Sequence, residues 1–200
     1  MTESDHTEPR PHERRQSIAA VILAAGAGSR FAGDEHKLLA EIDGVPIVRR
    51  VIDAAREADV DEVVVVSGAV DLASIVPDDV TLLDNELWED GQATSIRAAI
   101  AYADARGHGV IIVGLGDSPG VTNETRKAEV SAAEDLASAP YESLPPQLIR
   151  LAAAMWASLP VSGDEGARAL MRSRPDLVRP VPVEGNPHDI DTLEDLRRWG

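Results

Sequence analysis

The chain has no cysteine, only two lysines and a single phenylalanine in its 200 residues. Without cysteine, disulfides and thiolate metal sites are excluded. There is no unbroken apolar run of about 18 residues, the length a membrane-spanning helix requires. Residues 1–17 (MTESDHTEPRPHERRQS) are almost wholly polar and contain no apolar core of a secretion signal. The expectation is a soluble, cytoplasmic protein without a membrane partner. Basic charge is scarce too: 19 Lys and Arg face 35 Asp and Glu, giving a net charge of −16. A nucleic-acid binder replaces condensed counterions with a basic footprint, and none of any size is present, so no nucleic-acid partner is expected. The acids, among them Glu57, Asp61, Asp79, Glu134 and Asp164, are dispersed along the chain, which keeps a surface hydrated. With so few lysines, this composition suits a salt-rich cytoplasm. A melting temperature that rises from low to molar KCl is expected.

What is present is an alternating pattern. The prolines and charges of residues 1–17 predict a disordered extension, and residues 18–200 read as one domain. Ile18–Leu23, Asp61–Val66 and Gly109–Gly114 are short, continuous apolar runs that end in glycine or serine, as strands buried on both faces do. Val80–Leu83 is a weaker fourth. Helical stretches are expected at Val45–Ala58, Gln92–Arg106 and Thr122–Ala137, and further along at Gln147–Ser158 and Asp164–Arg174. Leu177–Val183 reads as a strand, and Thr192 as the N-cap of a last helix with Asp195 answering it. Strand and helix in alternation predict an α/β fold, a mostly parallel sheet with helices on both faces. Ligands of such sheets bind beyond the C-terminal ends of the strands.

Three segments at those ends carry candidate chemistry. In Leu23-Ala24-Ala25-Gly26-Ala27-Gly28-Ser29-Arg30, glycines after a buried strand let backbone N–H groups turn toward an anion and let phosphate approach closely. Arg30 adds a fork of donors and Lys37 a mobile charge. The spacing is neither G-x-G-x-x-G nor a P-loop, and a plain tight turn is the alternative. In Leu115-Gly116-Asp117-Ser118-Pro119, Asp117 stands where a Mg²⁺ bridging to triphosphate could be held; the alternative is a helix-initiating turn. In His188-Asp189-Ile190-Asp191-Thr192, the two Asp at i and i+2 share a side of an extended segment and could face one cation; the alternative is a capped turn. A softer group, Asn85, Trp88, Gly91, Gln92 and Ser95, leads into a helix and could meet a base or a phosphate, although Trp88 can equally be packing. The five histidines lack metal-ligand spacing, and no G-x-S-x-G nucleophile elbow occurs.

Taken together, LAAGAGSRF with Lys37, the GDSP turn, GDEGARALM and the closing DIDTLEDL resemble the MobA/MocA-like nucleotidyltransferases, nearest to the molybdenum cofactor cytidylyltransferases. The resemblance implies a Rossmann-like three-layer αβα sandwich, making residues 18–200 a nucleotidyltransferase domain. It implies transfer of a nucleoside monophosphate from an NTP to a phosphorylated acceptor such as molybdopterin, with Mg²⁺ as cofactor and molybdoenzymes as recipients of the product. Gly26, Gly28, Ser29, Arg30 and Lys37 would hold the triphosphate, and Leu23, Ala24, Ala25 and Ser95 would lie near base and ribose. Asp117 would bind Mg²⁺ with Asp189 or Asp191, and Arg30, Lys37 and Asp117 would be catalytic. LAAG rather than LAGG leans to CTP. One segment departs from the family pattern: Thr122–Ser162 contains no glycine, and residues 124–148 read as a charged helix followed by a proline-broken linker. Alternatives are the same fold with another nucleotide or acceptor, a non-catalytic nucleotide-binding regulator, and, least favoured, a dinucleotide-binding oxidoreductase.

Overall fold

The computed structural model describes residues 16–33, 35–138, 146–181 and 188–199. Strand β1 (Ile18–Ala24) is buried along its whole length and pairs in parallel with β4 (Glu62–Ser67) on one side and β6 (Val110–Leu115) on the other. Alternate residues serve two cores. Val21 and Leu23 join Val64, Val66, Ile111 and Val113 on one face, while Ala20, Ile22 and Ala24 join Val63 and Val65 on the other. A strand covered on both faces must be apolar throughout, which is why its sequence does not alternate.

Helix α1 (Ile47–Arg56) covers the second face through Val48, Val51, Ile52 and Ala55, one helical stripe. It follows the small hairpin of β2 (Glu41–Ile42) and β3 (Val45–Pro46), turned by Asp43 and Gly44, both at positive φ. Helix α2 (Gln92–Arg106) covers the first face through Ile96, Ala99 and Ala103 and ends on Gly107 in the left-handed conformation. Strand β5 (Thr81–Asp84) pairs with β4, and a short 3₁₀ turn, Trp88–Asp90, precedes α2.

Beyond β6 the chain runs through α3 (Asn123–Ser131), β7 (Leu136–Ser138), β8 (Leu148–Ala152), α4 (Ala153–Trp156), α5 (Ala167–Ser173), β9 (Arg179–Pro180) and α6 (Leu193–Arg197). The sheet order is β5-β4-β1-β6-β8-β7-β9; β8 is antiparallel to β6 and β7, and the remaining pairs are parallel. This is the mostly parallel α/β sheet, with helices on both faces, that the strand and helix alternation predicts. From β1 the chain first builds outward through β4 and β5 and then returns to β6, so the strand order reverses between β1 and β6. That reversal opens a crevice at their C-terminal ends.

Several expectations need correction. The helix expected at Gln147–Ser158 is instead β8, with only Ala153–Trp156 helical. Its register puts Leu148 opposite Gly114, where a Cβ would come within 2.8 Å of the Leu148 side chain, so tertiary packing overrides a helix-compatible pattern. The helix expected through Ala137 stops at Ser131, and Leu136–Ser138 is an added strand. The strand expected at Leu177–Val183 is reduced to Arg179–Pro180, with residues 182–187 outside the described residues. Residues 1–15 and 139–145, which include most of the extension and of the proline-broken linker, also lie outside them. Ser17 already belongs to the fold, because its carbonyl accepts from Gly109 and its hydroxyl meets His108 Nδ1 at 2.8 Å. No helix of the described residues is long and apolar enough to cross a membrane.

Candidate active site

A cavity of about 540 Å³ opens at the crevice between β1 and β6. The loop after β1 forms its rim. Gly28 has φ +62, and a Cβ there would stand 3.1 Å from Lys37 Cγ and 3.2 Å from His36 Nε2, so both conformation and space call for glycine. His36 braces the loop from below. Its Nε2 donates to the Gly26 carbonyl at 3.0 Å while Nδ1 accepts from Leu38 N at 3.3 Å, which fixes one neutral tautomer. Burial, with the Lys37 charge adding to it, holds the His36 pKa below its ordinary value, consistent with that neutral ring.

Lys37 forms the floor. Its Nζ donates to Asp117 Oδ2 and, at 3.0 Å, to Asp191 Oδ1. Burial alone would lower its pKa, but the two carboxylates outweigh burial and raise it. Arg30 meets the other oxygen of Asp191 at 2.9 Å. Its side chain is 75% exposed, so this pair adds little stability and leaves the guanidinium available to a ligand.

The carboxylates arrive from two distant segments. Asp117 follows β6, and its carbonyl accepts from Ile190 N at 2.9 Å, which ties the segment 188–191 to the end of that strand. Ile190 is fully buried against Phe31, Ala40, Ile42 and Ile47, whereas Asp189 and Asp191 on either side of it line the cavity. The i, i+2 alternation of an extended segment does this. Asp189 takes a hydrogen bond from Ser118 Oγ, yet burial first, and then the charge of Asp117, pushes its pKa up to about 6. Among the described residues no group of three or more His, Asp or Glu is arranged to hold a metal by itself. The donor set nevertheless suits Mg²⁺, a hard cation that prefers carboxylate oxygen and is typically bound by one or two carboxylates together with substrate phosphates. A lysine cation already seated between Asp117 and Asp191 shows that this spot favours positive charge.

Leu23, Ala24, Ala25, Gly26, Gly28, Ser29, Arg30, Lys37, Ser95, Asp117, Asp189 and Asp191 thus all line one cavity. Of the softer group, Trp88, Gly91, Gln92 and Ser95 join them. Asn85 does not: it is buried and donates to Thr94 Oγ1 and Ser95 Oγ, both at 2.9 Å, as an internal brace. Trp88 packs against the turn after β4, where a Cβ on Gly68 would come within 2.7 Å of it. Three residues had no site role assigned from sequence, although Asp164 and Arg168 lie within GDEGARALM. His36 carried no metal spacing, and its only local signal is its place beside Lys37. Asp164 and Arg168, from the turn before α5 and its first turn, also line the cavity.

The chain matches the family model for the MobA-like NTP transferase domain over residues 20–178. It is 32% identical over 199 residues to a nicotine blue oxidoreductase of Paenarthrobacter nicotinovorans, covering 90% of this chain and 95% of that protein. It is 34% identical over 116 residues to the bifunctional protein GlmU of Streptomyces coelicolor, covering 55% of this chain and only 24% of GlmU. Among solved structures, Rv0371c of Mycobacterium tuberculosis H37Rv superposes with a TM-score of 0.79 at 27% identity, covering 92% of this chain and 97% of that one. A manganese complex of the same protein gives 0.71 at 25% identity, over 92% and 98%.

Proposed function

The chain belongs to the MobA-like NTP transferase family, and from that premise we propose that it transfers CMP from CTP to a phosphorylated acceptor, molybdopterin, releasing pyrophosphate. The observation that carries this reading is the meeting of the glycine loop, Lys37 and three carboxylates in one crevice. In it, Gly26, Gly28, Ser29, Arg30 and Lys37 hold the triphosphate, and Leu23, Ala24, Ala25 and Ser95 face the base and ribose. Asp117, with Asp189 or Asp191, holds Mg²⁺, which supplies neutralisation of phosphate charge when bound; the manganese complex of the related Rv0371c supports a divalent cation. An acceptor phosphate oxygen bonds to the α-phosphorus, the bond from that phosphorus to the bridging oxygen breaks, and pyrophosphate leaves. The acceptor is already an anion, so the work of the protein is alignment and charge stabilisation. Arg30 and Lys37 bring positive charge to the phosphate oxygens, and the Gly28 turn presents backbone N–H groups. The LAAG sequence favours CTP, and a product of this kind would be handed to molybdoenzymes in the cytoplasm.

The test is pyrophosphate release with Mg²⁺ and each of CTP, GTP, UTP and ATP, with and without molybdopterin. Release with CTP only in the presence of molybdopterin is expected. Release with a different nucleotide, or with a sugar phosphate in place of molybdopterin, replaces the substrate assignment.

The near full-length likeness to a nicotine blue oxidoreductase favours a second reading, in which the same cavity serves a redox reaction. NADH or NADPH consumption with nicotine blue, without pyrophosphate release from any nucleotide, would establish it. Against it stands Asp117 together with Asp189 or Asp191, since a redox site has no need of the carboxylate pair that we propose holds a cation.

A further inference from the structure

Among the described residues Arg97, Lys127, Arg168 and Arg197 make no ion pair or side-chain hydrogen bond, and of these four Arg168 alone is half-buried and lines the cavity. Arg49, Arg56, Arg172, Arg174 and Arg198 are each paired with a carboxylate on the surface, and Arg30 and Lys37 are paired at the site. In a protein of net charge −16, pairing is the ordinary fate of an arginine. Among the described residues none supplies the Arg168 guanidinium with a hydrogen bond or ion pair. Glu165, three residues earlier, is engaged by Arg172 instead.

The backbone holds Arg168 firmly in place. The turn before α5 is clamped onto the start of α2 by two hydrogen bonds, Ala93 N to Gly163 O at 2.9 Å and Gly163 N to Asp90 O at 3.0 Å. The approach is so close that a Cβ on Gly91 would lie 2.5 Å from the Gly163 carbonyl carbon, and one on Gly166 2.7 Å from Ile96 Cδ1. Ala167 and Leu170 are buried in the core beneath. A side chain carried on such a support is positioned, not merely solvated.

Its direction is informative as well. Arg168 lines the main cavity of about 540 Å³ and also a mostly apolar recess of about 20 Å³ beside it, bounded by Leu115, Gln147 and Ile149 and with room for about one water, so an anion meeting Arg168 lies in the main cavity. No carboxylate lines that recess, although Asp164 lies on the main cavity wall. The recess lies on the face of the sheet that α2 and α5 cover, over the ends of β1, β6 and β8. Gln147 connects it to the catalytic floor, because Ser118 Oγ lies 2.9 Å from Gln147 Oε1 and also bonds Asp189.

We propose that Arg168 is the anion-holding residue for the second substrate, gripping a phosphate or carboxylate group of the acceptor at the α5 wall of the main cavity. The planar fork of a guanidinium suits such a group, and a preformed, unpaired arginine avoids the cost of breaking an internal ion pair on binding. The inference rests on the two-substrate reading above, and it adds a holding residue for the acceptor outside the glycine loop and Lys37, which that reading gives to the triphosphate.

The test uses the full chain and separates the two readings. With the triphosphate loop filled by Mg²⁺ and a non-hydrolysable CTP analogue, inorganic phosphate is titrated while the Arg168 side-chain Nε–H resonance is followed by NMR. Arg168→Lys identifies that resonance, and the Arg30 resonance reports on the loop. In parallel, Arg168→Ala is assayed for pyrophosphate release with CTP and molybdopterin. A phosphate-dependent shift at Arg168, with the molybdopterin KM raised about tenfold or more and the CTP KM little changed, is expected. An Arg168 resonance that ignores phosphate overturns the proposal, as does a variant that raises the CTP KM alone. If no nucleotide releases pyrophosphate but the Arg168 resonance still moves with phosphate, the transferase reading fails and the anion site stands.

Discussion

Lys37 Nζ donates to Asp191 Oδ1 at 3.0 Å, joining two residues 154 positions apart, and the same ammonium donates to Asp117. A single cation therefore separates carboxylates that would otherwise repel one another, with Asp189 already pushed up to about 6 by burial and the Asp117 charge. Lys37→Ala is expected to lower turnover about 100-fold, the loss of one phosphate-stabilising contact of about 3 kcal/mol. It also leaves Asp117 and Asp191 facing each other without their shared partner. The variant is therefore expected to melt lower than the wild type without metal, and to recover more than the wild type when Mg²⁺ is added. Melting curves with EDTA and with Mg²⁺ check this, and equal responses of the two proteins would remove the acidic floor as a cation site.

Asp117→Asn keeps the shape of the floor but removes the carboxylate most central to it. Turnover is expected to fall about 100-fold or more, while CTP binding measured without metal changes little. Titrating Mg²⁺ at fixed CTP then distinguishes a lost cation site from a distorted loop: the half-saturating concentration should rise in the first case and stay unchanged in the second.

Gly28→Ala probes the loop itself. The added methyl meets Lys37 Cγ at 3.1 Å and the His36 ring at 3.2 Å, on a backbone at φ +62. The His36 bond to Gly26 and the Lys37 bridge must both shift to admit it. CTP affinity is expected to drop about tenfold, with a stability loss of about 1–2 kcal/mol from the left-handed conformation. Calorimetry with CTP and a denaturant curve measure the two effects separately.

The parts of this architecture that were legible in sequence are those with local signals. Strands β1, β4 and β6 show as short apolar runs because burial on both faces leaves no polar positions. Helix α2 spans Gln92–Arg106 as expected, and Thr192 with Asp195 forms the reciprocal cap of α6 where the sequence placed it. The acidic segment 188–191 could be matched to Asp117 by chemistry alone, since hard-cation sites gather carboxylates. Strand β8 was not legible. Leu148-Ile-Arg-Leu-Ala suits either period, and what makes it a strand is the empty space above Gly114, 34 positions away by residue number. Arg168 lies within GDEGARALM, but that pattern does not show that its side chain faces a cavity, and His36 had no motif to announce it.

At the opposite, N-terminal end of the sheet, Glu62 accepts from Thr81 Oγ1 at 2.7 Å and Tyr102 OH at 2.6 Å, and lies 2.9 Å from His108 Nε2. Burial opposes ionisation, but the hydrogen bonds from Tyr102, Thr81 and His108 together win and bring the Glu62 pKa down to about 2. A depressed carboxylate contributes stability above its unfolded pKa, near 4.5, and that contribution is lost as pH falls towards about 2. Glu62→Gln is expected to cost about 1–3 kcal/mol at pH 7 and to flatten the acid limb of the stability curve. Denaturation midpoints measured from pH 7 down to the acid transition compare the two proteins.

Glu129 presents the opposite case. It is 0% exposed on α3, neither carboxylate oxygen has a hydrogen-bond partner, and burial pushes its pKa up to about 8 despite the nearby Arg150 charge. The folded protein therefore keeps a proton on Glu129 that the unfolded chain gives up near pH 4.5. By linkage, the folded state binds more protons across that interval, so this residue makes stability fall as pH rises from about 4.5 to about 8 and level off above. Glu129→Gln removes the titration while preserving size. Its melting temperature should match the wild type near pH 5 and exceed it at pH 8, by a few degrees if the buried charge costs about 1 kcal/mol. Thermal melts across that range decide the matter: parallel curves for the two proteins would mean that Glu129 ionises freely, and that the space between α3 and β8 admits water.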